Sequence, residues 1–188
     1  MQGRILATSS RLRLIVKEER CMGPLVIDVA RKAAQEVADD YWQPGRFPVD
    51  IEAIARGMGL RIEYTYLREG VSGMVRARPD EIPTIYVDRD ENPARQRFTI
   101  AHELGHFVER SNQGKADFAF IDERGTKYDL HEFYADEFAG NLLMPRSEIQ
   151  RLRARGETNV QMASHFGVSV PAMVKRLDRI KKADELHQ

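Results

Sequence analysis

The chain carries one cysteine, Cys21, and one tryptophan in 188 residues. A single thiol excludes an intrachain disulfide framework and fits a reducing compartment. Net charge is missing too, because 29 Lys and Arg balance 29 Asp and Glu. No global field therefore draws the chain to nucleic acid or to an anionic membrane, although a local basic patch is still open. No apolar run approaches the ~20 residues that a membrane-spanning helix needs. The opening MQGRILATSSRLRLIVKEER is basic, but charge returns at Lys17, Glu18 and Glu19 before an apolar stretch develops. That pattern argues against a signal peptide, and cytoplasm is the expected location. Internal repeats and low-complexity tracts are absent.

What is present is an ordinary globular composition, 42% hydrophobic and 31% charged, enough for one good core. Residues 1–21 fit poorly with the amphipathic segment after Met22 and are expected as a disordered extension, with Met22 an alternative start. Residues 22–145 are expected to form the main domain and 146–188 a helical segment packed on it. Val26, Val29, Ala33 and Val37 recur at helical spacing, which predicts a helix over about Leu25–Asp40. A short helix, VDIEAIARGM, comes after the Pro44–Pro48 loop and ends at Gly57 and Gly59. The period then changes to two in RIEYTYL, GMVRA and TIYVD, three strands bounded by Gly70, Gly73, Pro79 and Pro83. Asn92-Pro93 supplies an N-cap and a first-turn proline for the next helix. A loop is expected over 111–126, then the helix LHEFYADEFAGNLLMP, then helices around Ser147–Arg155 and on either side of Gly167. The fold class is α+β: a small antiparallel or mixed three-stranded sheet on helices.

The stretch RFTIAHELGHFVER places two histidines among apolar neighbours. Buried imidazoles cost free energy unless their nitrogens are satisfied. His102 and His106 are four residues apart and share one helical face, where both can grip one ion. Glu103 stands one step around the axis, beside that ion, where a carboxylate can take a proton from water. This is the H-E-x-x-H arrangement of two ligands and a general base, and zinc suits it by accepting imidazole and carboxylate. Manganese or iron would suit the same donors. Gly105 costs about 1 kcal/mol against alanine mid-helix, and would let another backbone approach closely. The competing reading of the pair is two satisfied polar groups on a buried helix.

A catalytic zinc needs a third protein ligand. Glu132 and Asp136 are again four apart in HEFYADEFAGNLLMP. Glu132 is expected as the third ligand. Asp136, one turn on, is expected to hold the outer nitrogen of a ligating histidine without touching the metal. His131 competes with Glu132 as ligand but points away from Asp136; a solvated acidic face is the other alternative. Tyr128, His131, Tyr134 and Arg124 are candidate donors to a developing oxyanion, Tyr128 foremost. The strand Thr84–Asp88 could line the cleft as an edge and pair with a substrate backbone, or be plain sheet core.

RFTIAHELGHF, followed by E-x-x-A-D-x-F-A and LLMP, resembles the ImmA/IrrE family of zinc metallopeptidases. PVDIEAIARGMGLRIEY, VSGMVRA and IYVDRDENPARQRF extend the similarity over roughly Leu25–Leu177. The resemblance implies a zincin-like fold with a gluzincin type of site. It implies His102, His106 and Glu132 as zinc ligands and Glu103 as base. It also implies a bacterial protein that relieves repression by cleaving a helix-turn-helix repressor. A rival reading comes from NVQMASHFGVSVPAMVKRL, which has the helix, glycine turn and N-cap serine of a helix-turn-helix. Basic residues Arg146, Arg151, Arg153, Arg155, Lys175, Arg176, Arg179, Lys181 and Lys182 outnumber acidic ones from residue 146 onward. A DNA-binding regulator with a vestigial metal site is therefore a second hypothesis, and a partner-binding protein that does not cut is a third. Met162, Ala163, Phe166, Val168, Met173, Val174 and Leu177 look like packing residues, with Met162 and Met173 alternatively available to dock a partner helix.

Overall fold

The computed structural model describes residues 25–115, 117–123 and 129–186. The expected extension over 1–21 and the oxyanion candidates Arg124 and Tyr128 lie outside the described residues. Helix α1 (Val26–Tyr41) buries Ala30, Ala33, Ala34 and Val37. Of the expected stripe Ala33 and Val37 are buried and Val26 packs on the core, but Val29 is 41% exposed, and Ala30 and Ala34 complete the packed face against a later helix. Helix α2 (Ile51–Gly57) starts at Asp50, whose side chain accepts from Ala53 N, and it buries Ile51, Ile54 and Ala55.

Strands β1 (Arg61–Thr65), β2 (Val71–Ala77) and β3 (Thr84–Asp88) are where the alternating pattern places them. A fourth strand, β4 (Phe118–Glu123), forms in the stretch expected as loop. Its apolar alternation, Phe118 and Phe120 about an exposed Ala119, is too short to stand out among polar neighbours. The sheet order is β1-β3-β2-β4. β1 pairs with β3 in parallel, while β2 runs antiparallel to both β3 and β4. Thr84–Asp88 is therefore an interior strand, and the expectation that it forms a substrate-pairing edge is overturned. It is hydrogen-bonded to a neighbour on either side, and among the described strands the outer ones are β1 and β4.

Helix α3 (Pro93–Asn112) begins as expected: Asn92 accepts from Arg95 N at 3.0 Å, and Pro93 follows in the first turn. It packs on β2 and β3 on one side and on α4 (Leu130–Leu143) on the other. Residues 99–106 of α3 are consequently all buried, polar ones included. Leu104, Ile100 and Phe138 are fully buried, each contributing about 1.5–3 kcal/mol of transfer free energy. The helices approach closely at Gly105, where a Cβ would lie 3.0 Å from Ala135 Cα and 3.2 Å from the Phe138 side chain.

Helices α5 (Arg146–Ala154), α6 (Asn159–Phe166) and α7 (Val170–Leu186) complete the described chain. Thr158 and Gln161 form a capping box on α6. Gly167 turns the chain at φ 65°, and Ser169 Oγ accepts from Ala172 N at the start of α7. Arg97 of α3 fixes that turn, donating to Gly167 O at 3.2 Å and to Val49 O at 2.6 Å. Met162, Ala163, Phe166, Val168 and Met173 join the same buried cluster as α3 and α4. Met162 and Met173, at 1% and 0% exposure, are therefore core and present no surface for a partner helix. No described helix is long and apolar enough to cross a membrane.

The close approach at Gly105 can be tested by filling it. Alanine there gains about 1 kcal/mol of helix propensity but drives a methyl into the backbone of α4. Overpacking of this kind costs about 1–3 kcal/mol. Urea unfolding of Gly105→Ala should therefore show a net loss of stability. A stability raised by about the full 1 kcal/mol of propensity would mean that α3 and α4 separate there at no cost.

Candidate metal centre

Two helices meet so that their four-residue spacings face each other. His102 and His106 project from α3, and Glu132 and Asp136 from α4. Asp129 caps α4 by accepting from His131 N at 2.8 Å and Glu132 N at 3.0 Å, which anchors its first turn beside α3. His102 Nε2 and His106 Nε2 are 3.2 Å apart. Glu132 Oε2 lies 3.3 Å from His102 Nε2, and its Oε1 3.4 Å from His106 Nε2. Donors at about 2.0–2.1 Å from a tetrahedral zinc stand about 3.3–3.4 Å from one another. The nearest Glu132 oxygen to each ring stands at about that distance, and with one donor atom from each residue the three lie within 4.8 Å of one another, so the cluster can hold a metal ion. His131 is not part of it. Its Nδ1 lies 2.9 Å from both carboxylate oxygens of Glu109, and Glu132 is the residue that joins the two histidines.

Around this cluster the side chains are buried and charged. Asp136 Oδ1 is 3.3 Å from His102 Nδ1, on the ring's far side from Glu132. Its Oδ2 accepts from Lys175 Nζ at 2.9 Å and from Arg179 Nη2 at 2.7 Å, both on α7. Glu103 is fully buried. The His106 ring stacks on Phe120 of β4, centroids 4.5 Å apart, so the β4 edge of the sheet flanks the cluster. Tyr134, an oxyanion candidate, is packed in the core, where burial pushes its hydroxyl up to about 12.

The electrostatics of the cluster's side chains arise from burial opposed by pairing. For His102, burial disfavours the cation, but Asp136 and Glu132 outweigh it and carry the ring to about 10. For His106 burial prevails, and its affinity for a proton falls. Glu132 is held down at about 2 by hydrogen bonds from the two histidines. Asp136 would be raised by burial, yet His102, Lys175 and Arg179 keep it well below the usual carboxylate range.

One residue of the site escapes the sequence pattern. Gly73 reads as a strand boundary, but it lies inside β2. A Cβ there would collide with Thr99 Cγ2 and approach Glu103 Oε1 to 3.3 Å. The strand leaves this space beside the Glu103 carboxylate. A glycine amid an alternating pattern is itself the signal for such a close approach.

Residues 55–178 match the family model of the IrrE N-terminal-like domain, peptidase family M78. No curated protein matches the chain. A solved structure described as a Mycobacterium tuberculosis transcriptional regulator is similar in fold. It has a TM-score of 0.53 at 19% identity and covers 80% of this chain but 46% of that one. The chain spans less than half the length of that regulator, and the likeness bears on fold alone. The matched region contains α3 and α4 with all the residues of the cluster, and the chain belongs to the M78 family of peptidases.

Proposed function

We propose that this protein is a cytoplasmic zinc-dependent endopeptidase that cleaves one specific protein, a helix-turn-helix transcriptional repressor. The observation that carries the reading is the metal-sized triangle of His102, His106 and Glu132 with Glu103 buried next to it on α3. In this reading His102, His106 and Glu132 are the ligands. When bound, zinc supplies the Lewis acidity that polarises a peptide carbonyl and eases deprotonation of water. The Glu103 carboxylate takes the proton from the attacking water and delivers it to the leaving amine nitrogen. Asp136 orients His102 by accepting from Nδ1, which leaves Nε2 to face the metal. The substrate would lie in extended form along the outer edge of β4, the strand that flanks His106, rather than along Thr84–Asp88.

A DNA-binding role has the helix-turn-helix shape of α6 and α7 in its favour. Its cations argue against it. Arg146 pairs with Asp184, Arg151 with Glu148, Arg176 and Arg179 with Glu137, and Lys175 with Asp136. Arg176 and Arg179 are moreover withdrawn against α4, out of reach of a duplex backbone. Duplex binding that weakens steeply with salt would restore this reading.

Three outcomes are expected. Zinc should bind at one ion per chain and be lost from His106→Ala as measured by atomic absorption; full occupancy in that variant would refute the ligand set. Asp136→Ala should keep the metal but bind it about 10–100-fold more weakly, the usual cost of removing a partner that orients a ligand. A crystal structure with Asp136 on the metal would refute its assigned part. Glu103→Gln should retain zinc and fold while cleaving the repressor about 10²–10⁴-fold more slowly, the span for loss of a general base. Cleavage at the parent rate by this variant would sink the mechanism, and an intact repressor with the parent enzyme would favour the non-cutting partner.

A further inference from the structure

Beside the metal cluster, α3, α4 and the start of α7 enclose a second cavity of about 200 Å³. Four cations line it: Arg95 from α3, and Lys175, Arg176 and Arg179 from α7. Within the lining the carboxylate is Asp136, and Glu137 stands behind it. Arg95 donates to the Ser72 hydroxyl at 3.2 Å, and that hydroxyl donates in turn to Glu91 Oε1 at 3.2 Å. The wall thus holds a surplus of positive charge, and part of it is deep.

Arg176 is only 5% exposed, and burial pulls its guanidinium down to about 10. It is locked in place, with Nε donating to Met144 O at 3.3 Å and Nη2 to Asn141 Oδ1 at 2.7 Å. Gly140 lets it lie against α4, since a Cβ there would stand 3.3 Å from Arg176 Cδ. Arg179 is fixed likewise by Glu137 Oε1 at 2.9 Å and Asp136 Oδ2 at 2.7 Å. These two are fixed in place, while Arg95 and Lys175 are exposed. The rest of the lining is largely apolar, with Phe98, Met144, Pro171 and Ala172.

We propose that this cavity binds a small organic anion, a carboxylate or phosphate monoester on a compact apolar body. The head would meet Lys175 and Arg95, with Arg176 and Arg179 behind them as fixed positive charge. The body would rest on Phe98 and Met144. An apolar cavity of about 150 Å³ takes benzene, so the volume here fits a ring of that size with its charged group. The same cations hold Asp136 Oδ2 while Oδ1 faces His102. Occupancy is therefore linked to the metal cluster, a clause that rests on the zinc-peptidase reading of that cluster.

Calorimetric titration of the full-length protein with benzoate, phenyl phosphate and acetate tests the site. At least one of the two aromatic anions binds saturably at one site per chain, and about tenfold or more tighter than acetate, the effect of burying the ring. His106→Ala, which removes coordination to metal as an explanation, keeps that binding. The exposed-site double variant Arg95→Ala/Lys175→Ala, checked for parental thermal unfolding, loses about tenfold or more. Absence of saturation with both aromatic anions, equal affinity for acetate, loss of binding in His106→Ala, or an unaffected double variant each overturns the site. Zinc affinity measured with and without the saturating anion tests the link. A shift supports it, whereas an unchanged value breaks the link and leaves the anion site standing.

Discussion

The crossing of α3 and α4 at Gly105 sets the distance on which the metal cluster depends. With no side chain at that position, Ala135 Cα and the Phe138 ring come up against the α3 backbone. Gly105 stands between His102 and His106 in sequence, and Ala135 between Glu132 and Asp136. The contact therefore lies at the level of the cluster itself. Any residue that pushed the axes apart would open the 3.3 and 3.4 Å separations by which Glu132 reaches both imidazoles. The helix pays for this with a mid-helix glycine of poor propensity, and the α3–α4 core around Leu104 and Phe138 offsets it.

Burial at that crossing creates the electrostatic problem that the site then uses. His102, Glu103, His106, Asp136 and Glu137 are all withdrawn from water within two adjoining helices. Unpaired buried charge is strongly destabilising, whereas paired and hydrogen-bonded charge is tolerated. The pairing here is layered. Imidazoles face Glu132, Asp136 backs His102, and α7 supplies the cations that back Asp136 and Glu137. The C-terminal helix is thus part of the charge balance of the cluster.

Much of the cluster is legible in the sequence because its signals are local. Two four-residue spacings, an Asn-Pro helix start and a mid-helix glycine can each be read within one turn of helix. The register of α1 is hidden by the opposite circumstance: Val29 and the alanines compete for one stripe, and only the neighbouring helix decides that the small ones go inside. Strand β4 and the interior place of β3 depend on pairing between distant segments, which a short Phe-Ala-Phe alternation cannot announce. Gly73 belongs to the same class. Its glycine is visible, but the Thr99 and Glu103 side chains that demand it come from another element.

The same dependence on distant segments explains why the C-terminal pattern does not by itself tell its use. A helix-turn-helix is recognised by a capped helix, a left-handed glycine and a second capped helix, and α6, Gly167 and α7 have all three. Those features specify a turn and say nothing of what the second helix faces. In this chain Met162, Phe166 and Met173 face the core, and Arg176 and Arg179 are turned onto α4. A recognition helix needs its cations outward, toward phosphate and base edges. An α7 built that way would leave Asp136 and Glu137 buried without their counter-charges, so the packing that supports the cluster and a DNA-reading face compete for the same arginines.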